Sequence, residues 1–295
     1  MIFINPKTDY AFKKIFGSDQ SKDILISFLN GMIYEGNSVI EDLEIINPNL
    51  PPKVQGLKDT YLDVKAKLRD GTLVIIEMQV LNVQSFGKRV LYNAAKTYAF
   101  QLQANEGYRM LKPVIALTIA DFEMFANSES VISRFVYKEV ISNLKYTEND
   151  IELVFIELPK FTKEQEQLET LTEKWIYFIK SARSLTSVPD TMESVPEIQK
   201  AFAIANQVNL SREELEDLER REMFIYDQQG AILKATLEAR EEGREEGREE
   251  GREEGIREEK LAIARKLLLQ LDDETISQTT GLSVEEVRNL RAIES

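Results

Sequence analysis

The chain has 295 residues and carries 37 Lys and Arg against 51 Asp and Glu, a formal net charge of −14. It contains neither cysteine nor histidine, which excludes disulfides, serine–histidine and cysteine–histidine hydrolases and the usual zinc sites. Any acid–base or metal chemistry therefore falls to Asp, Glu, Lys, Tyr or water.

The charge is unevenly spread. Residues 1–120 hold 14 basic and 12 acidic side chains, leaving 23 and 39 for the remainder, so the first part stays able to accept a polyanion. No run approaches the ~18–20 apolar residues of a membrane span. The opening, MIFINPKTDY, lacks the basic-then-apolar pattern of a signal peptide. A cytoplasmic protein without membrane association is expected.

In chain order, NPKTDYAFKKIF predicts a helix with Asn5 or Thr8 as cap and Pro6 near the first turn, broken at Gly17-Ser18. SKDILISFLNGMI continues as a second apolar helix. VIEDLEII, 39–46, reads as a strand, followed by the Pro/Gly loop NPNLPPKVQG at 47–56. A hairpin, YLDVKAKLRDGTLVIIEMQV, spans 61–80. Residues 83–105 carry a helical stripe of Phe86, Val90, Ala94, Tyr98 and Leu102. KPVIALTIAD, 112–121, suits a strand buried on both faces. SRFVYKEV and IELVFIEL, 151–158, are further strands. After Pro159 helical patterns dominate, at 163–185, 197–208 and 211–240. The fourfold REEG repeat of Arg240–Gly255 follows, and then a tail that reads helix, glycine turn, helix. The order predicts an α/β core with a mixed sheet. The expected division is a core over 1–160, a helical extension over 161–239, a charged repeat over 240–259 and a small helical module over 260–295.

The hairpin carries the chemistry. A three-residue loop, Arg69-Asp70-Gly71, with glycine left-handed, pairs Leu68 with Thr72. Asp63 is then expected opposite Glu77, Tyr61 opposite Gln79 and Lys65 opposite Ile75. Leu62, Val64, Ala66, Val74, Ile76 and Met78 supply the core face. Two opposed carboxylates on a half-buried face repel each other and lose hydration. A proton or a cation relieves this, and oxygen donors without histidine suit Mg²⁺, Mn²⁺ or Ca²⁺. Such an ion keeps waters, one of which can act as nucleophile at a phosphoryl centre. Gln79 would orient water or phosphate, and Lys65 would add positive charge. The spacing also suits a structural ion pair with Lys65, Lys67 or a buried arginine; a carboxylate pair of the glycosidase kind usually collects aromatic sugar platforms at its cleft, and nothing in the sequence marks one.

An acid on one strand and E-x-Q on the next, in the order helix–strand–strand–strand–helix–strand, resembles the PD-(D/E)xK nuclease superfamily. More closely, KTDYAFKKIF, YLDVKAKL, IIEMQ and KRVLYNAAKTYAFQL resemble the Rpn recombination-promoting nucleases, also labelled transposases. The resemblance covers about the first 110 residues. It implies a restriction-endonuclease-like core, Mg²⁺-dependent DNA endonuclease activity, and a role in recombination, mobile-element or defence biology. It further implies that Asp63, Glu77 and the Met78 carbonyl hold the metal and that Asp9 assists from the first helix. Gln79 stands where many relatives have lysine; glutamine neither deprotonates water nor carries charge, which leaves Lys65 or the metal alone for that task.

Asp9, Lys13 and Phe16 share a helix face, so Lys13 or Lys14 is expected to reach a phosphate, with a solvated ion pair as the alternative. Arg89, Asn93 and Lys96 form a polar stripe that would follow a DNA backbone or face solvent. The REEG repeat has no apolar face and reads as a charged spacer. ISQTTGLSVEEVRNL has the spacing of a helix-turn-helix. Glu285 and Glu286 on its second helix favour a protein-contact module, and homo-oligomerisation through the C-terminal helices is expected. The reading that rivals the nuclease is a non-catalytic, oligomeric DNA-binding or interaction scaffold on the same fold.

Overall fold

The computed structural model describes residues 2–50, 60–148 and 150–294. Helix α1, Asp9–Phe16, begins where Thr8 accepts a hydrogen bond from Ala11 N–H at 3.3 Å. It places Asp9 in its first turn and Lys13 and Lys14 in its last, the charge order its dipole favours. Helix α2, Lys22–Tyr34, stops at Glu35 and Gly36, both at positive φ. Its buried Asn30 accepts from Ile40 N–H at 2.8 Å and donates to Ile40 O at 2.9 Å, which satisfies the amide and fixes the path into the sheet.

The strands are β1 Leu43–Ile46, β2 Asn49–Leu50, β3 Thr60–Tyr61, β4 Val64–Leu68 and β5 Leu73–Gln79. After helix α3, Phe86–Ala99, come β6 Val114–Ala120, β7 Ile132–Phe135 and β8 Ile151–Glu157. Six of them form one mixed sheet in the order β1-β4-β5-β6-β8-β7, and β2 pairs with β3 separately. The β5–β6 and β6–β8 pairs are parallel, the others antiparallel. Every residue of β6 is buried, as its unbroken apolar run predicts. The strand expected from 39 begins at Leu43, and that expected at 133–140 covers Ile132–Phe135. The 47–56 loop lies outside the described residues from 51 onward.

One sheet face packs on α1, α2 and two further helices, α4 Leu171–Ser181 and α5 Pro196–Ala205; α3 covers the other. Trp175 of α4 is fully buried, its ring 5.7 Å from Phe16 and 5.8 Å from Phe28. The residues expected to form an extension after 160 thus share the core of the sheet. The chain start is tied to them through Ile4 N–H, which donates to Ala205 O at 2.8 Å.

Residues Met1–Asp227 form one compact unit and Gln228–Ser295 a second. Helix α6, Arg212–Leu267, is continuous through the REEG repeat, where the composition predicts a spacer. Each repeat glycine costs about 1 kcal/mol relative to alanine. The helix is nevertheless anchored on both sides: Leu218 is buried in the first core and Ala264 in the second, so no new nucleus is needed. Pairs such as Arg244 with Glu241, at 2.8 Å, add a few tenths of a kcal/mol each.

In the second unit, α7 Asp273–Thr280 and α8 Val284–Glu294 flank Gly281, left-handed at φ 70°. Their small core is Ala264, Leu268, Ile276, Leu282, Val287 and Leu290. Glu286 accepts from Ser283 N–H at 2.9 Å, so this acid works as a helix cap. No helix among the described residues is long and apolar enough to cross a membrane.

A Cβ at Gly243, Gly247, Gly251 or Gly255 would meet nothing within 4 Å. Replacing all four with alanine is expected to stabilise this stretch by about 1 kcal/mol per site and to slow its amide exchange, read by hydrogen–deuterium exchange. Unchanged or faster exchange would mean that the glycines serve a conformation other than this helix.

Candidate active site

The hairpin of β4 and β5 builds the site. Gly71 turns the chain at φ 94°, Leu68 N–H donates to Thr72 O at 2.8 Å, and Lys65 pairs with Ile75, as the three-residue loop predicts. The ladder then departs from the expected pairing. Val64 is the partner of Ile76, yet Asp63 N–H also donates to Ile76 O at 3.2 Å. Two residues meeting one is the pattern of a β-bulge.

The bulge changes the facing of everything before it. Leu62, expected on the core face with Val64, packs instead in the cluster under α3. Tyr61 pairs with Asn49 in the small sheet, not with Gln79. Asp63 is not opposed squarely to Glu77: it is met from α1, Glu77 from α3. What joins them is the β5 backbone. Asp63 Oδ2 accepts from Met78 N–H at 2.8 Å, taking the place of a ladder carbonyl. A residue's N–H and C=O point to the same neighbouring strand, so the Met78 carbonyl lies on that edge too. Both acids are largely buried, their side chains 12% and 15% exposed. Burial pushes both carboxyls above their usual range, more than neighbouring cations pull them down. Asp63 raises Glu77 further, and Asp9 raises Asp63.

A cation attends each acid. Lys13 Nζ stands 3.3 Å from Asp63 Oδ1. Arg89 Nη2 is 2.6 Å from Glu77 Oε1 and donates to Gln79 Oε1 at 2.6 Å. Gln79 in turn donates to Leu81 O at 2.6 Å, so its amide holds Arg89 beside Glu77. Asp9 takes both bonds of Arg221 Nη1, at 2.8 and 2.9 Å. Lys65 is half-buried, and its ammonium pKa is lowered by burial.

The structure divides the two predicted basic stripes. Lys14 is engaged by Glu214 at 2.5 Å. Asn93 and Lys96 are buried, 1% and 5% exposed, because the α3 face expected to lie against DNA packs inward. Asn93 Nδ2 donates to Glu77 Oε2 at 3.4 Å, while its Oδ1, also buried, has no partner among the described residues. Arg89 keeps solvent access.

Residues of α6 that local pattern did not single out complete the surroundings. Arg221 holds Asp9, and Glu214 accepts from Tyr10 Oη and Lys14 Nζ, both at 2.5 Å. No periodicity announces a contact 200 residues away in sequence; only the excess of charge at the helix start hints at it.

The donor set fits a hard divalent ion. It consists of the Asp63 and Glu77 carboxylates, near enough for Asp63 to raise Glu77, and the Met78 carbonyl, with the Asn93 amide oxygen unpartnered among the described residues and no softer ligand. Among the described residues no group of three acids could hold a metal; Asp9 acts on Asp63 through its charge and is itself held by Arg221.

The family model described as "PD-(D/E)XK nuclease family transposase" matches residues 6–235. That described as "Rpn/YhgA-like nuclease family, C-terminal HTH domain" matches residues 257–292, where the spacing predicts a helix-turn-helix. No curated protein matches the chain, and no solved structure does.

Because the fold disfavours the ionised form of Asp63, Asp63→Asn is expected to raise the thermal midpoint in chelator at neutral pH, by about 2–4 °C for each kcal/mol relieved. Millimolar Mg²⁺ should raise the wild-type midpoint and leave that of the variant unchanged. An equal response to Mg²⁺ in both would remove Asp63 from the ligand set.

Glu214 behaves in the opposite sense. Its bonds from Lys14, Tyr10 and Ser211 hold its carboxyl down at about 2. Its contribution is therefore complete above the ordinary glutamate pKa of 4.5 and is lost as pH falls from there toward about 2. Exchange protection in the first turns of α6 should decline over that window in wild type and be flat in Glu214→Gln. Matching profiles would assign the contact elsewhere.

Proposed function

This chain belongs to the PD-(D/E)XK nuclease family of transposases, whose model spans residues 6–235, and on that footing we propose that it is a divalent-metal-dependent DNA endonuclease that hydrolyses phosphodiester bonds. The observation that carries this reading is the bulge, which brings the Asp63 carboxylate onto the Met78 backbone beside Glu77. Asp63, Glu77 and the Met78 carbonyl would hold Mg²⁺, with Mn²⁺ or Ca²⁺ as alternatives. When bound, such an ion neutralises charge on a phosphoryl oxygen and makes water a better nucleophile.

The rest falls to the chain's own groups. Lys13 and Arg89 stand on the two carboxylates, so a scissile phosphate arriving there can take over their charge. Gln79 keeps Arg89 aimed at this edge. Lys65, whose burial disfavours the charged form, has its charge strengthened by any nearby phosphate. Asn93 holds Glu77 from behind. DNA as the substrate is supported by the nuclease family and by the helix-turn-helix match at residues 257–292.

The cation on each acid also suits a second reading, a scaffold that binds DNA without cutting it. Nicking of supercoiled plasmid separates the two. In Mg²⁺ or Mn²⁺ the wild type is expected to nick, chelator to stop it, and Asp63→Ala or Glu77→Ala to lose on the order of 100-fold or more. Equal nicking by wild type and Asp63→Ala removes the site assignment. DNA binding without nicking in any metal selects the scaffold.

A further inference from the structure

A cavity of about 520 Å³ opens beside the carboxylate pair, within the roughly 300–1,000 Å³ of ligand sites in general. Lys7, Asp9, Met78 and Gln79 line one side, Arg220 and Phe224 of α6 the other. Met78 and Gln79 make it continuous with the candidate active site. Most of its charges are already matched: Lys7 is 2.7 Å from Asp121, and Asp9 is held by Arg221. Arg220 differs. Its ion pair with Asp217 is loose, at 3.7 Å, and its side chain is 76% exposed. Phe224 is 61% exposed and stands outside the hydrophobic core, so packing does not account for it.

Arg220 and Phe224 are four residues apart on one helix and therefore share a face. A weakly matched guanidinium beside an open aromatic ring is complementary to a nucleotide, with phosphate on the cation and base on the ring. A base within a duplex is stacked on both sides and offers no free face to a ring. We propose that the opening turns of α6 form a subsite for one unpaired nucleotide next to the scissile phosphate, with Arg220 taking its phosphate and Phe224 stacking its base. The subsite rests on the nuclease reading for the identity of the neighbouring phosphate. It predicts a preference for strands with unpaired bases near the cut.

The test uses the full chain in chelator and a fluorescein-labelled oligothymidylate about twelve nucleotides long, within the site sizes usual for single-strand binders, beside a duplex of equal length. By fluorescence anisotropy, Phe224→Ala and Arg220→Ala should each weaken oligothymidylate binding about ten-fold, the loss of one stacked base or one phosphate contact. Phe224→Trp should retain binding, and duplex affinity should change little. In Mg²⁺, cleavage of a single-stranded substrate should show a raised KM at unchanged kcat. Both side chains lie on the surface, and thermal midpoints verify that the variants fold. Unchanged affinity for oligothymidylate, or an equal loss on the duplex, overturns the subsite. If the wild type binds through Phe224 yet cuts nothing in any metal, the nuclease reading fails and the subsite stands. If the wild type cuts and Phe224→Ala is indistinguishable from it, the subsite fails and the nuclease reading stands.

Discussion

The site depends on one hydrogen bond: the Asp63 carboxylate accepting from the Met78 backbone N–H at 2.8 Å. In a regular ladder that N–H would bond a carbonyl across the strand. The bulge at Asp63 withdraws the carbonyl and substitutes a charged side chain, which is the stronger acceptor. It ends the β4–β5 pairing at Val64, releases the chain toward the small β2–β3 sheet, and places two acids against one stretch of backbone. The cost is two largely buried carboxylates whose ionisation the fold resists. Such a cost is expected to persist only where something else offsets it, and here Lys13 and Arg89 offset part of it while both carboxyls stay raised.

The cations on Asp63, Glu77 and Asp9 come from three different helices. Lys13 belongs to α1, Arg89 to α3 and Arg221 to α6. A chain of net charge −14 thus collects positive charge where the sheet presents its acids, while the excess of acid lies after residue 120. Global charge describes solubility and long-range field; it does not describe this edge of β5. The involvement of α6 also gives the helical second half a place in the site, since Glu214 and Arg221 bind Tyr10, Lys14 and Asp9.

The α6 helix shows how tertiary anchoring overrides composition. Read alone, REEG repeats have no apolar stripe and a glycine in every fourth position, which argues for a spacer. Buried residues on either side remove the nucleation penalty, and propagation through glycine then costs only its modest propensity deficit. Polar residues misled in the other direction on α3. Asn93 and Lys96 repeat like a solvent face, but the helix turns that face inward, where Asn93 supports Glu77.

Local pattern by itself determined the α/β order, the left-handed loop at Gly71, the doubly buried β6 and the helix–glycine–helix tail. Each of these follows from periodicity or from a single residue's backbone preference. It also marked Asp63, Glu77 and Gln79, because polar side chains on an apolar hairpin demand compensation. Only the tertiary structure decided how that compensation is made: a bulge in place of square opposition, Lys13 on Asp63, Arg89 as the arginine on Glu77, and Arg221 on Asp9. The reason is that alternation along a strand specifies a face only while the ladder stays regular. Counterions are chosen by proximity in space, and residues separated by up to 212 positions share no local signal.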